Sequence, residues 1–155
     1  MKTAATASSA PDPPGPLYCD ASALVKLYLP EAESGKLNRM IEGRRDLLVS
    51  DLSITEIVSS LSRRRREGAL DASSASRLHR AILGHMDGGL FRRLELVPAV
   101  HREAERLLLS VDAVPLRAAD ALHLALAISG DAATLLTYDR RLSDAAGSIG
   151  LRAIP

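Results

Sequence analysis

Short apolar runs recur along the chain, separated by longer segments in which apolar residues are spaced three and four positions apart. The short runs predict buried β-strands, and the longer segments predict amphipathic helices. We expect five strands, with the sequences LYCD at 17–20, DLLVS at 46–50, FRRLELVP at 91–98, ATLLTYD at 133–139 and LRAI at 151–154.

The intervals around these strands are long enough for seven helices. Pro30 interrupts the first helical segment, Gly68 ends the third, and Asp71 is a favourable N-cap for the fourth. The segments lie at 21–31, 31–45, 51–68, 71–89, 99–111, 116–130 and 140–150. Because strands alternate with helices, we expect one α/β domain with a parallel sheet covered on both faces.

The first 16 residues, MKTAATASSAPDPPGP, differ from the rest in being rich in Ala, Ser and Pro. They contain no continuous apolar stretch of the kind found in a secretion signal, so we predict a disordered tail over 1–16 and a domain over 17–155. No stretch approaches the roughly 20 apolar residues of a membrane span. Cys19 is the single cysteine, which excludes an internal disulfide. We therefore expect a cytoplasmic protein without a membrane segment, with Cys19 in its core.

The positive charge is clustered although the net charge is only +1. Of 20 basic residues only three are lysines, and arginine suits bidentate phosphate contacts better than lysine does. Each cluster can equally be a solvated helix face. The clusters are Arg44–Arg45, Arg63–Arg66, Arg92–Arg93 and Arg140–Arg141.

Acidic residues stand where the predicted strands end. Asp20 and Asp139 directly follow apolar runs, Glu56 lies in the first turns of the helix after the second strand, and Asp120 lies near the start of an almost wholly apolar helix. Taken singly, each acid could cap a helix or complement its dipole. Together at one sheet edge, the four would repel one another, and either protonation or a bound cation must neutralise them.

A hard divalent cation is the better candidate for that neutralisation. Mg²⁺ prefers oxygen ligands and needs only one or two direct carboxylates, because it keeps several waters. Zinc is disfavoured, since the four histidines are scattered and the cysteine is single. An all-carboxylate Mg²⁺ or Mn²⁺ site points to phosphate chemistry. The chain has no Gly-rich Walker loop, so a nucleotide-driven motor or kinase is not expected.

Four stretches, in this order, resemble the PIN-domain ribonucleases, and among them the VapC-type toxins of bacterial toxin–antitoxin pairs. The stretches are YCDASALVKLYLPE, SDLSITEIVSSLSRR, LRAADALHLALA and LLTYDRRLSDAAGSIGLRAIP, which together span 17–155. The resemblance implies a three-layer α/β/α sandwich around a central, mainly parallel sheet. It also implies a Mg²⁺- or Mn²⁺-dependent endoribonuclease that uses metal-activated water to attack a phosphodiester.

The resemblance assigns catalytic and metal-binding roles to Asp20, Glu56, Asp120 and Asp139, with Asp139 preferred over Asp144 as the fourth acid. Ser22 and Thr137 match small hydroxyl residues that could orient a carboxylate or a water. His123, three residues after Asp120, is expected to be a packed or hydrogen-bonded core residue. The implied partners are an RNA substrate, a cognate antitoxin and a second copy of the chain in a homodimer. The arginine clusters could hold RNA, or Arg63–Arg66 could bind the antitoxin.

Three other interpretations compete with the ribonuclease. A receiver-type phosphorylation switch needs an acid after the middle strand and a lysine near a later strand end, but LELVPAV supplies neither and no lysine follows Lys36. A non-catalytic nucleic-acid- or protein-binding module would use the acids only as caps. A DNA nuclease of related fold would use the same acids on a different sugar.

Overall fold

The computed structural model describes residues 12–155 of the chain, in which five strands form one sheet. The sheet order is β3-β2-β1-β4-β5, and every neighbouring pair is parallel. The predicted parallel sheet is therefore confirmed. The strands are β1 (Leu17–Cys19), β2 (Leu47–Ser50), β3 (Arg92–Leu94), β4 (Thr134–Leu136) and β5 (Arg152–Ile154).

Seven helices in the described residues cover the sheet on both faces, which makes the fold a three-layer α/β/α sandwich. The first four pack on one face with Leu17, Cys19 and Val49 of the strands, and the last three pack on the other face with Tyr18, Leu48 and Leu135. This division follows from the alternation of side chains along each strand. The helices are α1 (Ala21–Tyr28), α2 (Ser34–Ile41), α3 (Asp51–Arg66), α4 (Ala72–Asp87), α5 (Pro98–Ser110), α6 (Ala118–Ser129) and α7 (Arg140–Ser148).

Helix α6 is the most deeply buried helix, as its composition predicts. Residues around its whole circumference, including Asp120 and His123, are buried, and its closest helical neighbour is α5. Leu124 and Leu126 are fully inaccessible. The exposed residues of α6 lie at its two ends and Asp120 is buried, so Asp120 does not serve as a solubilising group and requires another explanation.

Part of the predicted tail is hydrogen-bonded to the domain. The Pro13 carbonyl accepts from Arg44 at 3.0 Å, and the Pro14 carbonyl accepts from the Thr134 hydroxyl at 2.7 Å. A Cβ atom on Gly15 would lie 1.6 Å from a carboxylate oxygen of Asp46, so any other residue here would displace the Asp46 side chain. Residues of the predicted tail thus contact the domain before Leu17. The remainder of the predicted tail, 1–11, lies outside the described residues.

The order of the strands fixes where a binding crevice can form. The chain moves from β1 outward through β2 to β3, and then returns to the other side of β1 for β4 and β5. In open parallel sheets, ligands bind outside the carboxyl ends of the strands at the point where this direction reverses. That point lies between β1 and β4. Within 12–155, no helix combines the length and the apolar character needed to cross a bilayer.

Candidate active site

A cleft with a volume of about 520 Å³ opens at the carboxyl ends of β1 and β4. Its walls come from α1, α3, α6 and the start of α7. All four acids that the sequence singled out line it, although they are up to 119 positions apart in the chain: Asp20, Glu56, Asp120 and Asp139. The structure therefore brings the predicted residues together in one cavity. Asp144 is exposed on α7 and does not line it.

Asp20 lies between the last residue of β1 and the first residue of α1, and it is only 3% exposed. Its carboxylate accepts hydrogen bonds from the Ser22 hydroxyl at 2.7 Å, the Ala23 amide at 2.9 Å and the Thr137 hydroxyl at 2.6 Å. Burial raises the pKa of Asp20, while the bonds from Thr137, Ala23 and Ser22 partly offset that rise. Both predicted hydroxyl residues thus orient this carboxylate.

Asp120 and Asp139 are both helix-terminal acids, so the capping interpretation of the sequence also holds. The Arg117 amide donates to Asp120 Oδ2 at 3.1 Å at the start of α6. The Arg141 amide donates to Asp139 Oδ1 at 2.8 Å at the start of α7. No residue within 12–155 donates to the other oxygen of either carboxylate. Capping and a second role in the cleft are therefore compatible.

Glu56 projects from the second turn of α3. The N-cap of α3 is Ser50, whose hydroxyl accepts a hydrogen bond from the Ser53 amide at 3.0 Å. Glu56 is six residues beyond this cap, so it does not cap the helix. Instead, Glu56 Oε2 lies 2.7 Å from His123 Nε2. Its side chain is 35% exposed, which leaves it accessible from the cleft.

A buried polar network behind Glu56 was not predicted from the sequence. His123 is a hydrogen-bonded core residue, as expected, but its partners are specific: Nδ1 lies 2.7 Å from the Tyr18 hydroxyl, which lies 2.7 Å from the Ser50 hydroxyl. The one available signal was the spacing of Asp120 and His123, since residues three apart share a helix face. Nothing in the apolar run LYC indicated that the Tyr18 hydroxyl would bond to His123.

One wall of the cleft is cationic. Lys26, Arg63, Arg64 and Arg66 line it, and Glu31 pairs with Arg64 and, at 3.5 Å, with Lys26. Lys26 Nζ also lies 4.8 Å from the centre of the Tyr138 ring. Three arginines of the Arg63–Arg66 cluster therefore line the cleft, whereas Arg65 does not.

Arginines of two other clusters have structural partners. Arg44 pairs with Asp46 at 2.7 Å, Arg92 donates to the Gly130 carbonyl at 2.6 Å, and Arg93 pairs with Asp51 at 2.6 Å. These contacts tie strand ends and turns to the domain. They give the Arg44–Arg45 and Arg92–Arg93 clusters a role in the fold.

The donor set in the cleft fits a hard divalent cation. The four acids offer only oxygen ligands, and none of them pairs with an arginine or lysine of the described chain. Within 12–155, no three acidic, histidine or cysteine side chains are placed as a group that could hold a metal ion as they stand. An ion in the cleft would therefore bind directly through one or two carboxylates and keep several waters, which Mg²⁺ does and a structural zinc does not.

The chain is similar to known proteins over most of its length. The family model described as PIN domain matches residues 17–148. Ribonuclease VapC46 of Mycobacterium tuberculosis is 34% identical over 141 residues, covering 89% of this chain and 95% of the relative. Ribonuclease VapC45 of the same species is 32% identical over 141 residues, covering 90% and 94%.

Solved structures with the same fold include three proteins from different organisms. PAE2754 from Pyrobaculum aerophilum has a TM-score of 0.62 and 28% identity, with 83% of this chain and 78% of that chain covered. The sarcin-ricin loop cleaving toxin VapC20 of M. tuberculosis has a TM-score of 0.66 and 18% identity, covering 83% and 94%. FitAcB from Neisseria gonorrhoeae has a TM-score of 0.70 and 16% identity, covering 90% and 96%.

Proposed function

The chain belongs to the PIN-domain family, and from that membership we propose that it is a divalent-metal-dependent endoribonuclease whose active site is the acidic cleft. The convergence of Asp20, Glu56, Asp120 and Asp139 in this cleft is the observation that carries the proposal. Its relatives VapC46 and VapC45 are named ribonucleases and align over nearly their full lengths.

The four acids would hold Mg²⁺ or Mn²⁺. A bound ion supplies positive charge that polarises a phosphodiester and activates water as a nucleophile. Ser22, Thr137 and the Ala23 amide fix the orientation of Asp20, which would lower the cost of holding this carboxylate as a ligand. The capping amides do the same for Asp120 and Asp139.

The cationic wall would bind the RNA backbone. Arg63 and Arg66 are exposed beside the acids, where guanidinium groups can contact phosphates on either side of the cleaved bond. Aromatic residues make up only 3% of the chain, so base stacking is not the main contribution to affinity. Recognition therefore depends chiefly on the backbone and the shape of the RNA.

Incubating the purified protein with total RNA in Mn²⁺ tests this function. We expect cleavage that EDTA abolishes and that Asp20→Ala reduces more than about 100-fold, since this change removes a ligand outright rather than a supporting contact. Asp144→Ala is the matched control, because Asp144 is an exposed acid outside the cleft. Cleavage that persists in Asp20→Ala would contradict the proposal, and cleavage of single-stranded DNA in a parallel incubation would favour the DNA nuclease.

We further propose that the protein is the toxin of a toxin–antitoxin pair, acting in the cytoplasm as a homodimer. A cognate antitoxin would then cover the cleft, with Arg63–Arg66 as one contact for it. Expression without the antitoxin should arrest bacterial growth, whereas Asp20→Ala should not. Normal growth with well-expressed wild-type protein would contradict the toxin role, and a monomer by sedimentation would contradict the dimer.

A further inference from the structure

We propose that His123 is a positioning residue that acts through Glu56, holding its Oε2 atom towards the interior and leaving Oε1 available to the cleft. This inference rests on the proposed function, because it concerns the acid that the nuclease would use to hold its metal. It goes beyond that function in giving a role to a buried chain of hydrogen bonds outside the four acids.

The geometry of His123 leaves little freedom for either ring nitrogen. The residue is 4% exposed, Nε2 lies 2.7 Å from Glu56 Oε2, and Nδ1 lies 2.7 Å from the hydroxyl of Tyr18. Tyr18 is itself fully buried in β1, at the centre of the sheet. The imidazole is therefore fixed from both sides by elements of the core.

The chemistry of the partners determines the direction of each hydrogen bond. An ionised carboxylate can only accept, so His123 Nε2–H donates to Glu56. In the neutral imidazole Nδ1 is then the acceptor, and it receives the hydroxyl proton of Tyr18. The Tyr18 oxygen accepts in turn from the Ser50 hydroxyl at 2.7 Å. In this series of hydrogen bonds, each donor lies on the side of the sheet and each acceptor on the side of Glu56.

Glu56 needs such a partner more than the other three acids do. Asp20, Asp120 and Asp139 are short side chains that each accept a backbone amide. Glu56 has one more rotatable bond, and an unrestrained glutamate retains rotamer freedom that ligand binding must remove. Within 12–155, His123 is the only group that donates a hydrogen bond to its carboxylate.

Calorimetric titration of the metal-free protein with Mn²⁺ measures this role directly, without any cleavage assay. His123→Leu removes the donor, and we expect Mn²⁺ affinity to fall about 10-fold or more, as for other outer-shell partners of metal ligands. His123→Gln places an amide donor near the position of Nε2 and should restore most of that affinity. In a Glu56→Gln background, His123→Leu should cause no further loss.

A second tyrosine–histidine pair in the molecule supplies the control. The Tyr28 hydroxyl lies 2.7 Å from His85 Nδ1, and neither residue lines the cleft. His85→Gln should leave Mn²⁺ affinity unchanged. If His123→Leu does not fold, Tyr18→Phe replaces it: this change keeps the ring, removes the proton donated to Nδ1, and should weaken Mn²⁺ binding in the same direction.

The outcomes separate this inference from the proposed function. Wild-type protein that binds Mn²⁺ and variants of His123 or Tyr18 that bind it equally well would overturn the inference and leave the nuclease intact. Loss of affinity in His123→Leu without rescue by His123→Gln would also overturn it, since packing rather than the donated proton would then be responsible. Wild-type protein that binds no Mn²⁺ would overturn both.

Discussion

Asp20 is a buried carboxyl group, and its burial has a measurable cost. Burial raises the pKa of Asp20 above its value in the unfolded chain. The folded protein therefore binds the proton more tightly than the unfolded chain does, and the free energy of unfolding falls as the pH rises from the unfolded to the folded pKa. In the metal-free protein, the Asp20 carboxyl therefore lowers the free energy of unfolding at a pH above its unfolded pKa.

Asp20→Asn should accordingly melt at a higher temperature than the wild type in EDTA at pH 7. The amide keeps an acceptor for the Ala23 amide and can donate to Thr137, but it carries no charge to desolvate. The difference between the two proteins should shrink as the pH is lowered, because the wild-type carboxyl then becomes neutral. Equal melting temperatures at pH 7, measured by circular dichroism, would contradict this account.

The sequence predicted some residues of the site and missed others. Asp20 and Asp139 could be found because each directly follows an apolar run, and parallel strand ends meet at one edge, whereas the site roles of Glu56 and Asp120 depended on the family resemblance. The bond between Tyr18 and His123 could not be found, because neither residue stands at a strand end or in a motif that marks it. Their contact depends on how α6 packs across β1, which periodicity alone does not determine.

Among the secondary-structure elements, the third strand is shorter than its sequence predicts because its partner strand is short. The apolar sequence LELV predicts a strand over 91–98, but β3 is only Arg92–Leu94. Its partner β2 ends at Ser50, which is paired with Leu94, and Ser50 also caps α3. Beyond Leu94 no partner strand remains, so the chain turns towards α5.

The last turn of α3 carries the arginines that we assign to RNA binding. Arg63→Ala and Arg66→Ala should each weaken RNA binding. If each arginine contacts one phosphate, each change should also reduce the slope of log affinity against log salt concentration by about one. Filter binding with Asp20→Asn protein at several salt concentrations measures both quantities without cleavage.

Arg77→Ala is the matched control for these variants. Arg77 on α4 donates to Ser73 at 3.0 Å, much as Arg66 donates to Ser62 at 2.9 Å, but it does not line the cleft. Its replacement should leave affinity and salt slope unchanged. The assignment of α3 would be wrong if Arg77→Ala behaved like Arg63→Ala.

For the whole molecule, a cation that joins four elements should stabilise the fold. Binding to the folded state alone adds about 2.7 kcal/mol to the free energy of unfolding at a Mn²⁺ concentration of 100 times Kd. For a chain of this length, that corresponds to a rise in Tm of roughly 5–10 °C. Asp120→Asn should abolish the rise. A binding module whose acids are only caps should show no metal dependence.

The sequence supports the overall architecture better than it supports the assembly around it. Alternation of strands and helices predicts a parallel sheet with both faces covered, and the observed sheet is wholly parallel. The reversal of strand order between β1 and β4, which creates the cleft, is a property of the folded chain. The antitoxin and the second subunit come from the family resemblance, and their surfaces remain predictions.

Two joints at the cleft, the connections from a strand to the next helix, are very short. One residue, Asp20, separates β1 from α1, and none separates β2 from α3. Such joints cannot hinge without breaking the sheet or the first helical turn, so Asp20 and the start of α3 should keep their places when an inhibitor occupies the cleft. Removal of the inhibitor should then restore activity without a slow conformational step at these joints.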